Sequence, residues 1–456
     1  IDWNRVGEFE IDNTGKIGAA KYIEPAAVAA IVNNDTALQK TMVFKTTVQQ
    51  ASRGEDGELI RGEDGHIVYE SKEITFTYED ILKSTEKNTE GKPVYRIPDV
   101  KAGSYDVNET GECTVPGWTF EKDQSELTAT AIVPVCGIAD VSLHNQYKLQ
   151  TGSIVLKKNL AADSELKDGD MTEGQKASIL LTITDKDGKF VWFDKNNKYI
   201  GVTASKNTPP SGYTKETASC QMSYWAISKS GSDSVTITGL PIGNYTVTET
   251  SGISNVIWTA KYAVNGAALS EGTVASGTVV NEGSTEYKFE NSYILDKGNL
   301  SLDKTVAPDE IIKEADRANI KFKVEGKKIQ DGKEVTYTVA ELTYADLFKN
   351  GEYVGWKSED LPVGDYTVTE TAWSPEGYTV TTTYVVTAQS GTETGGNGVV
   401  AGAVPVKKDE TTNVKLTNTY KENGEMNITK TFSGITNDTA KKGTKIIIRN
   451  AEGKVV

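Results

Sequence analysis

The chain has 456 residues, a hydrophobic content of 37% and a formal net charge of −15. This length exceeds one ordinary core and suggests about three domains, while the apolar content excludes a disordered chain. The acidic balance argues against nucleic-acid binding, which rests on basic patches. The only histidines are His66 and His144, so we expect no metal site, no cofactor and no enzyme activity toward other substrates.

Three patterns recur along the sequence, and the first marks the start of each predicted repeat unit. A glycine is followed by apolar residues two and four positions later and by a lysine at the sixth position. On a β-strand, Ile154, Leu156 and Lys158 would share one face, so the lysine continues the apolar face. The pattern begins at Gly15 (most weakly), Gly152, Gly298 and Gly424, and its lysines are Lys21, Lys158, Lys304 and Lys430.

The second pattern is a strand that carries a glutamate on its apolar face. Residues 243–250 read GNYTVTET, so Tyr245, Val247 and Glu249 point the same way. A buried carboxylate is costly unless it is protonated or paired, which predicts a partner for each glutamate. The pattern returns at 364–371 and more loosely at 103–110, and its glutamates are Glu109, Glu249 and Glu370.

The third pattern closes each unit with an asparagine two residues before a tyrosine. Alternation places Phe289 and Asn291 on the same face, so the closing strand brings an amide to the apolar side. The asparagines are Asn145, Asn291 and Asn418.

The order lysine, glutamate, asparagine suggests a specific chemistry. A buried lysine loses its proton more easily and becomes a nucleophile, and a buried glutamate holds a proton that it can deliver. The lysine amine could then attack the asparagine carboxamide and expel ammonia, which leaves an isopeptide bond. The alternative is a buried lysine–glutamate ion pair with the asparagine hydrogen-bonded beside it.

These motifs resemble the B-type (CnaB-like) repeats of collagen adhesins and the shaft domains of Gram-positive, sortase-assembled pilins. The resemblance covers almost the whole chain and is clearest from Gly152 to Tyr420. It implies an all-β fold of tandem immunoglobulin-like β-sandwich domains in an elongated rod. It also implies that the three glutamates catalyse isopeptide bonds between Lys21 and Asn145, Lys158 and Asn291, and Lys304 and Asn418.

The repeats divide the chain into segments. We expect CnaB-like domains at 15–150, 151–296 and 297–422. Residues 1–14 resemble a closing strand or an N-terminal arm, and residues 423–456 resemble the opening strands of an incomplete fourth unit. Either the chain is a window cut from a longer array, or Asn13 completes the unit of Lys430 in a neighbouring molecule.

The cysteines leave two alternatives open. Cys113 and Cys136 flank one predicted strand segment and could form a local disulfide, or they could be two buried thiols.

The resemblance implies a structural protein of the bacterial cell surface, either a pilus shaft or an adhesin stalk. Its expected partners are neighbouring copies or pilin subunits. The alternative is an adhesin that binds a host matrix protein or glycan through loops of the first domain. The sequence contains neither a Tyr-Pro-Lys pilin motif nor a Leu-Pro-x-Thr-Gly sorting signal, so a polymerised shaft and a single-chain stalk both remain open. No apolar run is long enough to insert in a membrane.

Overall fold

The structure, a computed structural model, describes residues 14–434 and 436–455. Strands make up 54% of the residues and helices 12%, so the expected all-β fold is confirmed. Within the described ranges, no helix is long and apolar enough to cross a membrane.

The chain divides into two compact bodies. One holds the described residues up to Ser164 together with Glu173–Ile253 and Trp258–Tyr293. The other holds Glu165–Thr172, Ser254–Ile257 and the residues from Ile294 onward. The strands fall into three sets, and among the described residues the strands of different sets do not pair. The three expected domain ranges remain a prediction.

The first strand set surrounds one hydrophobic core with a single eight-stranded sheet in the order β6-β8-β1-β4-β2-β5-β7, with β3 paired to β2. Strand β2 joins the two parts of this sheet, because it pairs with β4 at one end and with β5 at the other. The elements of this first set are β1 (Thr14–Glu24), α1 (Ala26–Asn33), α2 (Thr36–Thr41), β2 (Val43–Ala51), β3 (Tyr69–Thr77), α3 (Tyr78–Lys83), β4 (Tyr95–Lys101), β5 (Gly103–Glu109), β6 (Trp118–Phe120), a 3₁₀ turn (Lys122–Gln124), β7 (Thr128–Val133) and β8 (Ile138–Leu149).

The second set is a sandwich of two sheets, β15-β9-β20-β17-β18 and β12-β11-β10-β16-β19, and the second sheet also pairs with β13 and β14. Side chains from both sheets form one core. The elements of this set are β9 (Thr151–Leu160), α4 (Glu173–Ala177), β10 (Ile179–Asp185), β11 (Phe190–Asp194), β12 (Tyr199–Thr203), β13 (Ala218–Ser219), β14 (Gln221–Ser223), α5 (Tyr224–Lys229), β15 (Ser234–Pro241), β16 (Gly243–Ser251), β17 (Val256–Val264), β18 (Ser270–Glu271), β19 (Val274–Val279) and β20 (Ser284–Leu295). The 3₁₀ turn Asp168–Asp170, which follows β9 in the chain, belongs to the other compact body.

The third set is a sandwich of the sheets β26-β21-β31-β28-β29 and β23-β22-β27-β30, with a separate β24-β25 pair. Its core also draws on both sheets. Its elements are β21 (Lys297–Ala307), 3₁₀ turns (Asp309–Ile311, Glu314–Asn319), β22 (Lys321–Gln330), β23 (Lys333–Thr343), a 3₁₀ turn (Tyr344–Leu347), β24 (Phe348–Lys349), β25 (Glu352–Tyr353), β26 (Trp356–Pro362), β27 (Gly364–Thr371), β28 (Tyr378–Thr387), β29 (Glu393–Asn397), β30 (Val400–Val406) and β31 (Thr411–Glu422).

The alternating patterns produce the expected faces. Along β20, every second residue from Thr285 to Tyr293 is buried, including Asn291. The tyrosine of each glutamate strand also has a local role. Its hydroxyl donates to the carbonyl oxygen four residues earlier, and this bond fixes the turn that enters the strand. The three pairs are Tyr105 with Lys101, Tyr245 with Pro241, and Tyr366 with Pro362.

The opening strands of a fourth unit are not observed. Residues 424–430 carry no strand, and the described residues beyond them contain the short helix α6 (Asp438–Lys442) and an isolated bridge between Arg449 and Val455. A strand requires a hydrogen-bonded neighbour, and the described chain provides none here. Lys430 is exposed, and Asn13 lies outside the described residues.

Of the two alternatives for Cys113 and Cys136, the local disulfide is not observed, because neither cysteine is disulfide-bonded. Cys113 follows the end of β5 and is buried, whereas Cys136 follows the end of β7 and is exposed. Because β5 and β7 are antiparallel, the carboxyl end of β5 and the carboxyl end of β7 lie at opposite ends of the strand pair. The alternative of two buried thiols holds for Cys113 alone.

Candidate functional site: three buried lysine–glutamate–asparagine clusters

The structure brings each predicted triplet together inside its strand set. The lysine lies on the first strand of the set and the asparagine on the last strand. These two strands are parallel neighbours in every set: β1 with β8, β9 with β20, and β21 with β31.

The register between these strands is the same in all three sets. The residue opposite each asparagine lies two positions beyond the lysine: Ile23 faces Asn145, Leu160 faces Asn291, and Val306 faces Asn418. The lysine and the asparagine are therefore diagonal neighbours on one face, within reach of a long side chain.

In the first cluster the three side chains bond to one another. Lys21 Nζ donates to Glu109 Oε2 and to Asn145 Oδ1, each at 2.6 Å. Asn145 Nδ2 donates to Glu109 Oε1 at 2.9 Å. The carboxylate thus bridges the amine and the amide nitrogen, with a different oxygen for each.

The second cluster leaves two buried atoms without hydrogen-bond partners among the described residues. Lys158 Nζ and Asn291 Nδ2 both approach Glu249 Oε1, at 3.1 and 2.9 Å. The side chains of Lys158 and Glu249 are 0% exposed. Glu249 Oε2 and Asn291 Oδ1 are buried, and neither has a hydrogen-bond partner among the described residues.

The third cluster repeats the carboxylate bridge and adds a hydroxyl. Lys304 Nζ donates to Glu370 Oε2 at 2.7 Å, and Asn418 Nδ2 donates to Glu370 Oε1 at 2.6 Å. Thr382 Oγ1 donates to Asn418 Oδ1 at 2.8 Å. No sequence pattern singled out Thr382, because its role depends on pairing between β28 and β31.

The tyrosine of each closing motif lies beside the asparagine. Asn291 Nδ2 is 3.1 Å from the Tyr293 hydroxyl, and Asn418 Nδ2 is 3.4 Å from the Tyr420 hydroxyl. The Tyr420 hydroxyl itself donates to the carbonyl oxygen of Trp373. It is therefore free to accept from the amide, which helps to orient the amide nitrogen toward the glutamate. The spacing Asn-x-Tyr places the tyrosine on the same strand face as the asparagine, but only the observed contact shows that it orients the amide.

Burial sets the charge state of the clusters. It lowers the pKa of Lys21, Lys158 and Lys304 to about 8, and the glutamate beside each lysine opposes that shift. Burial also raises the pKa of Glu249, against the influence of Lys158. Both shifts favour a neutral amine beside a protonated acid, which is the state in which a lysine is nucleophilic.

Comparison with known proteins gives matches to solved structures of low identity. The chain is similar to the Bacillus anthracis TIE protein (15% identity, TM-score 0.30), covering 90% of this chain and 51% of that one. It is similar to the major pilin of Streptococcus pyogenes (18%, TM-score 0.24; 59% of this chain, 98% of that one). It is also similar to two B repeat units of the collagen-binding protein of Staphylococcus aureus (13%, TM-score 0.22; 90% and 99%).

The chain thus spans about half the length of the Bacillus anthracis protein. Its structural neighbours include pilins and the B repeats of a collagen-binding protein, the two groups that the motifs resemble. A family model for a domain of unknown function, DUF5979, matches residues 300–421, which lie within the third strand set. No curated protein matches the chain.

Proposed function

We propose that this chain is a structural protein of the bacterial cell surface, a pilus shaft or adhesin stalk, whose three strand sets are each locked by a lysine–asparagine isopeptide bond. The observation that carries the proposal is the threefold occurrence of a buried lysine, glutamate and asparagine within hydrogen-bond distance, in one register. The pilin and collagen-adhesin neighbours support the coarser part, a surface role.

The bond forms by transamidation. The neutral lysine Nζ attacks the asparagine Cγ, and the bond from Cγ to Nδ2 then breaks. The protonated glutamate gives its proton to Nδ2, which leaves as ammonia, and takes up the proton that Nζ releases. In the first and third clusters the two glutamate oxygens already contact these two nitrogens, so the proton transfer needs no large movement.

The competing explanation is three buried ion pairs without bond chemistry. A buried ion pair is expensive to desolvate and is often no more stable than apolar residues of the same volume. It also gives no reason for the unpartnered Glu249 Oε2 and Asn291 Oδ1. A protonated Glu249 carries a hydrogen-bond donor of its own beside these two oxygen atoms. Conversion of the asparagine to a secondary amide removes the lysine ammonium charge altogether.

The position of the bond supports a mechanical role. It would join the first and last strands of each set, through which tension on the chain enters and leaves. A covalent link at that point carries the load without unzipping the sheet, and it limits the unfolded states open to proteases.

The test is the intact mass of the purified chain. We expect a mass lower than the sequence mass by three molecules of ammonia. Glu249→Gln and Glu370→Gln should each regain one ammonia, because the proton shuttle is lost. Glu359→Gln, at an exposed glutamate that pairs with Lys357, is the matched control and should keep the full deficit.

Two results would count against the proposal. A wild-type mass equal to the sequence mass would leave only buried polar clusters. A full deficit in both glutamine variants would mean that the glutamates are not needed for bond formation.

A second candidate function is an adhesin that binds a host matrix protein or glycan through the first strand set. It is favoured by an open cleft of about 600 Å³ lined by residues that include Tyr22, Ala26, Tyr78 and Lys92, next to helix α1. Saturable binding that Tyr22→Ala and Lys92→Ala weaken would support it. A shaft predicts instead association between copies or with pilin subunits.

A further inference from the structure

The three clusters differ in what contacts the carbonyl oxygen of the asparagine. In the first cluster Asn145 Oδ1 accepts from Lys21, which is the attacking group. In the third cluster Asn418 Oδ1 accepts from Thr382. In the second cluster Asn291 Oδ1 has no partner within the described part of the chain.

The strand register explains why the second cluster lacks the hydroxyl. Thr382 lies directly opposite Asn418 in the β28–β31 pair. In the corresponding β17–β20 pair, Asn265 N donates to the Glu286 carbonyl oxygen. These strands are antiparallel, so five residues before Asn265 on β17 lie opposite five residues after Glu286 on β20. Ala260 is therefore opposite Asn291. A methyl group therefore stands where the third set has a hydroxyl.

We propose that Thr382 is a catalytic residue for isopeptide bond formation in the third strand set, acting as the donor that stabilises the oxyanion. This inference rests on the proposed function. When Lys304 Nζ bonds to Asn418 Cγ, the π electrons of the carbonyl move onto Oδ1. The Thr382 hydroxyl, 2.8 Å away and held on a paired strand, bonds that developing charge more strongly than the neutral carbonyl.

The surroundings make this hydrogen bond effective. Thr382 is 6% exposed and Asn418 is 0% exposed, so water does not compete for Oδ1. Glu370 is occupied by Lys304 Nζ and Asn418 Nδ2 and serves the proton transfer. The intermediate then expels Nδ2, which takes its proton from Glu370 and leaves as ammonia, while Oδ1 returns to a carbonyl.

The test follows bond formation in time. The full chain is synthesised in a cell-free pulse and sampled, and mass spectrometry quantifies the linked peptides Lys304–Asn418 and Lys158–Asn291. Thr382→Val keeps the shape and removes the donor, so the third bond should form on the order of 10²-fold more slowly. Thr382→Ser keeps a hydroxyl and should restore most of the rate. The Lys158–Asn291 bond in the same molecules is the internal control.

The reciprocal variant tests the inference without disturbing the third set. Ala260→Thr should place a hydroxyl beside Asn291 Oδ1 and speed the second bond while the third keeps its rate. A structural role for Thr382 predicts no such gain.

The outcomes separate the two proposals. If the third bond forms at the wild-type rate in Thr382→Val, or if Ala260→Thr gives no acceleration, the oxyanion role is wrong while the isopeptide proposal stands. If the wild-type chain yields no linked peptide, the proposed function fails and the oxyanion role fails with it.

Discussion

At the scale of single residues, the clusters depend on moving three lysines out of water. The same burial that would make a lysine reactive would destabilise the fold if the lysine kept its proton. Bond formation removes this conflict, because an amide nitrogen carries no charge at any ordinary pH. The charge state of an unreacted lysine should therefore be visible in the pH dependence of stability.

We expect such a dependence in Asn291→Ala, which cannot form the second bond. The pKa of Lys158 is lowered by burial from 10.5 to about 8, so between these values the unfolded chain binds more protons than the folded chain. The free energy of unfolding should therefore rise with pH in this window, by up to about 2 kcal/mol between about pH 8 and 9.5. The free energy of unfolding at each pH is measured by urea denaturation monitored by circular dichroism.

The control is the double variant Asn291→Ala with Lys158→Met, which has no amine at this position. The difference between the two variants isolates Lys158, whatever the other strand sets contribute. Equal slopes of stability against pH in the two variants would show that Lys158 is not the titrating group.

At the scale of elements, the third strand set has one motif glycine at the start of its lysine strand and another at the start of its glutamate strand. Only the first is needed for close packing. A Cβ on Gly298, at the start of β21, would clash with the carbonyl oxygen of Lys407 in the turn before β31. A Cβ on Gly364, at the start of β27, would meet no atom within 4 Å. The first glycine is thus required by the close approach of the first strand to the turn that feeds the last strand.

We predict that Gly298→Ala weakens the third strand set, with a cost of about 1–3 kcal/mol, because the turn before β31 must shift. Gly364→Ala is the matched control and should change stability by less than about 0.5 kcal/mol. Hydrogen exchange of the β21 and β31 amides, read by mass spectrometry, reports stability locally in a chain of several strand sets. Faster exchange in the Gly364 variant than in the Gly298 variant would contradict this account.

At the scale of the whole molecule, the proposed bonds would divide the chain into segments that bear tension and segments that do not. Residues between a bonded lysine and its asparagine lie outside the loaded path. Under a pulling force the wild-type chain should therefore show no unfolding step for any bonded set.

Removing one bond should restore one step. In Lys304→Ala we expect an unfolding event in single-molecule force spectroscopy whose length corresponds to the third strand set, and none for the other two. Lys357→Ala, which removes a surface lysine of the same set, should behave as wild type. Three unfolding steps in the wild-type chain would argue against a load-bearing role for the bonds.

The sequence by itself determined the all-β class, the triplets and the faces on which they lie. Alternation of period two is a local property of a strand, so it shows which side chains share a face wherever that strand finally pairs. The repetition of the three motifs then identified Lys158, Glu249 and Asn291 as members of one group before any contact was known.

Only the tertiary structure decided which strands meet. It placed Glu249 on the sheet facing Lys158 and Asn291, whereas Glu109 belongs to the same continuous sheet as Lys21. It separated Cys113 from Cys136. It set Thr382 opposite Asn418, whereas the register of the Asn265–Glu286 hydrogen bond sets an alanine opposite Asn291. These relations depend on the register between strands far apart in the chain, which no local pattern encodes.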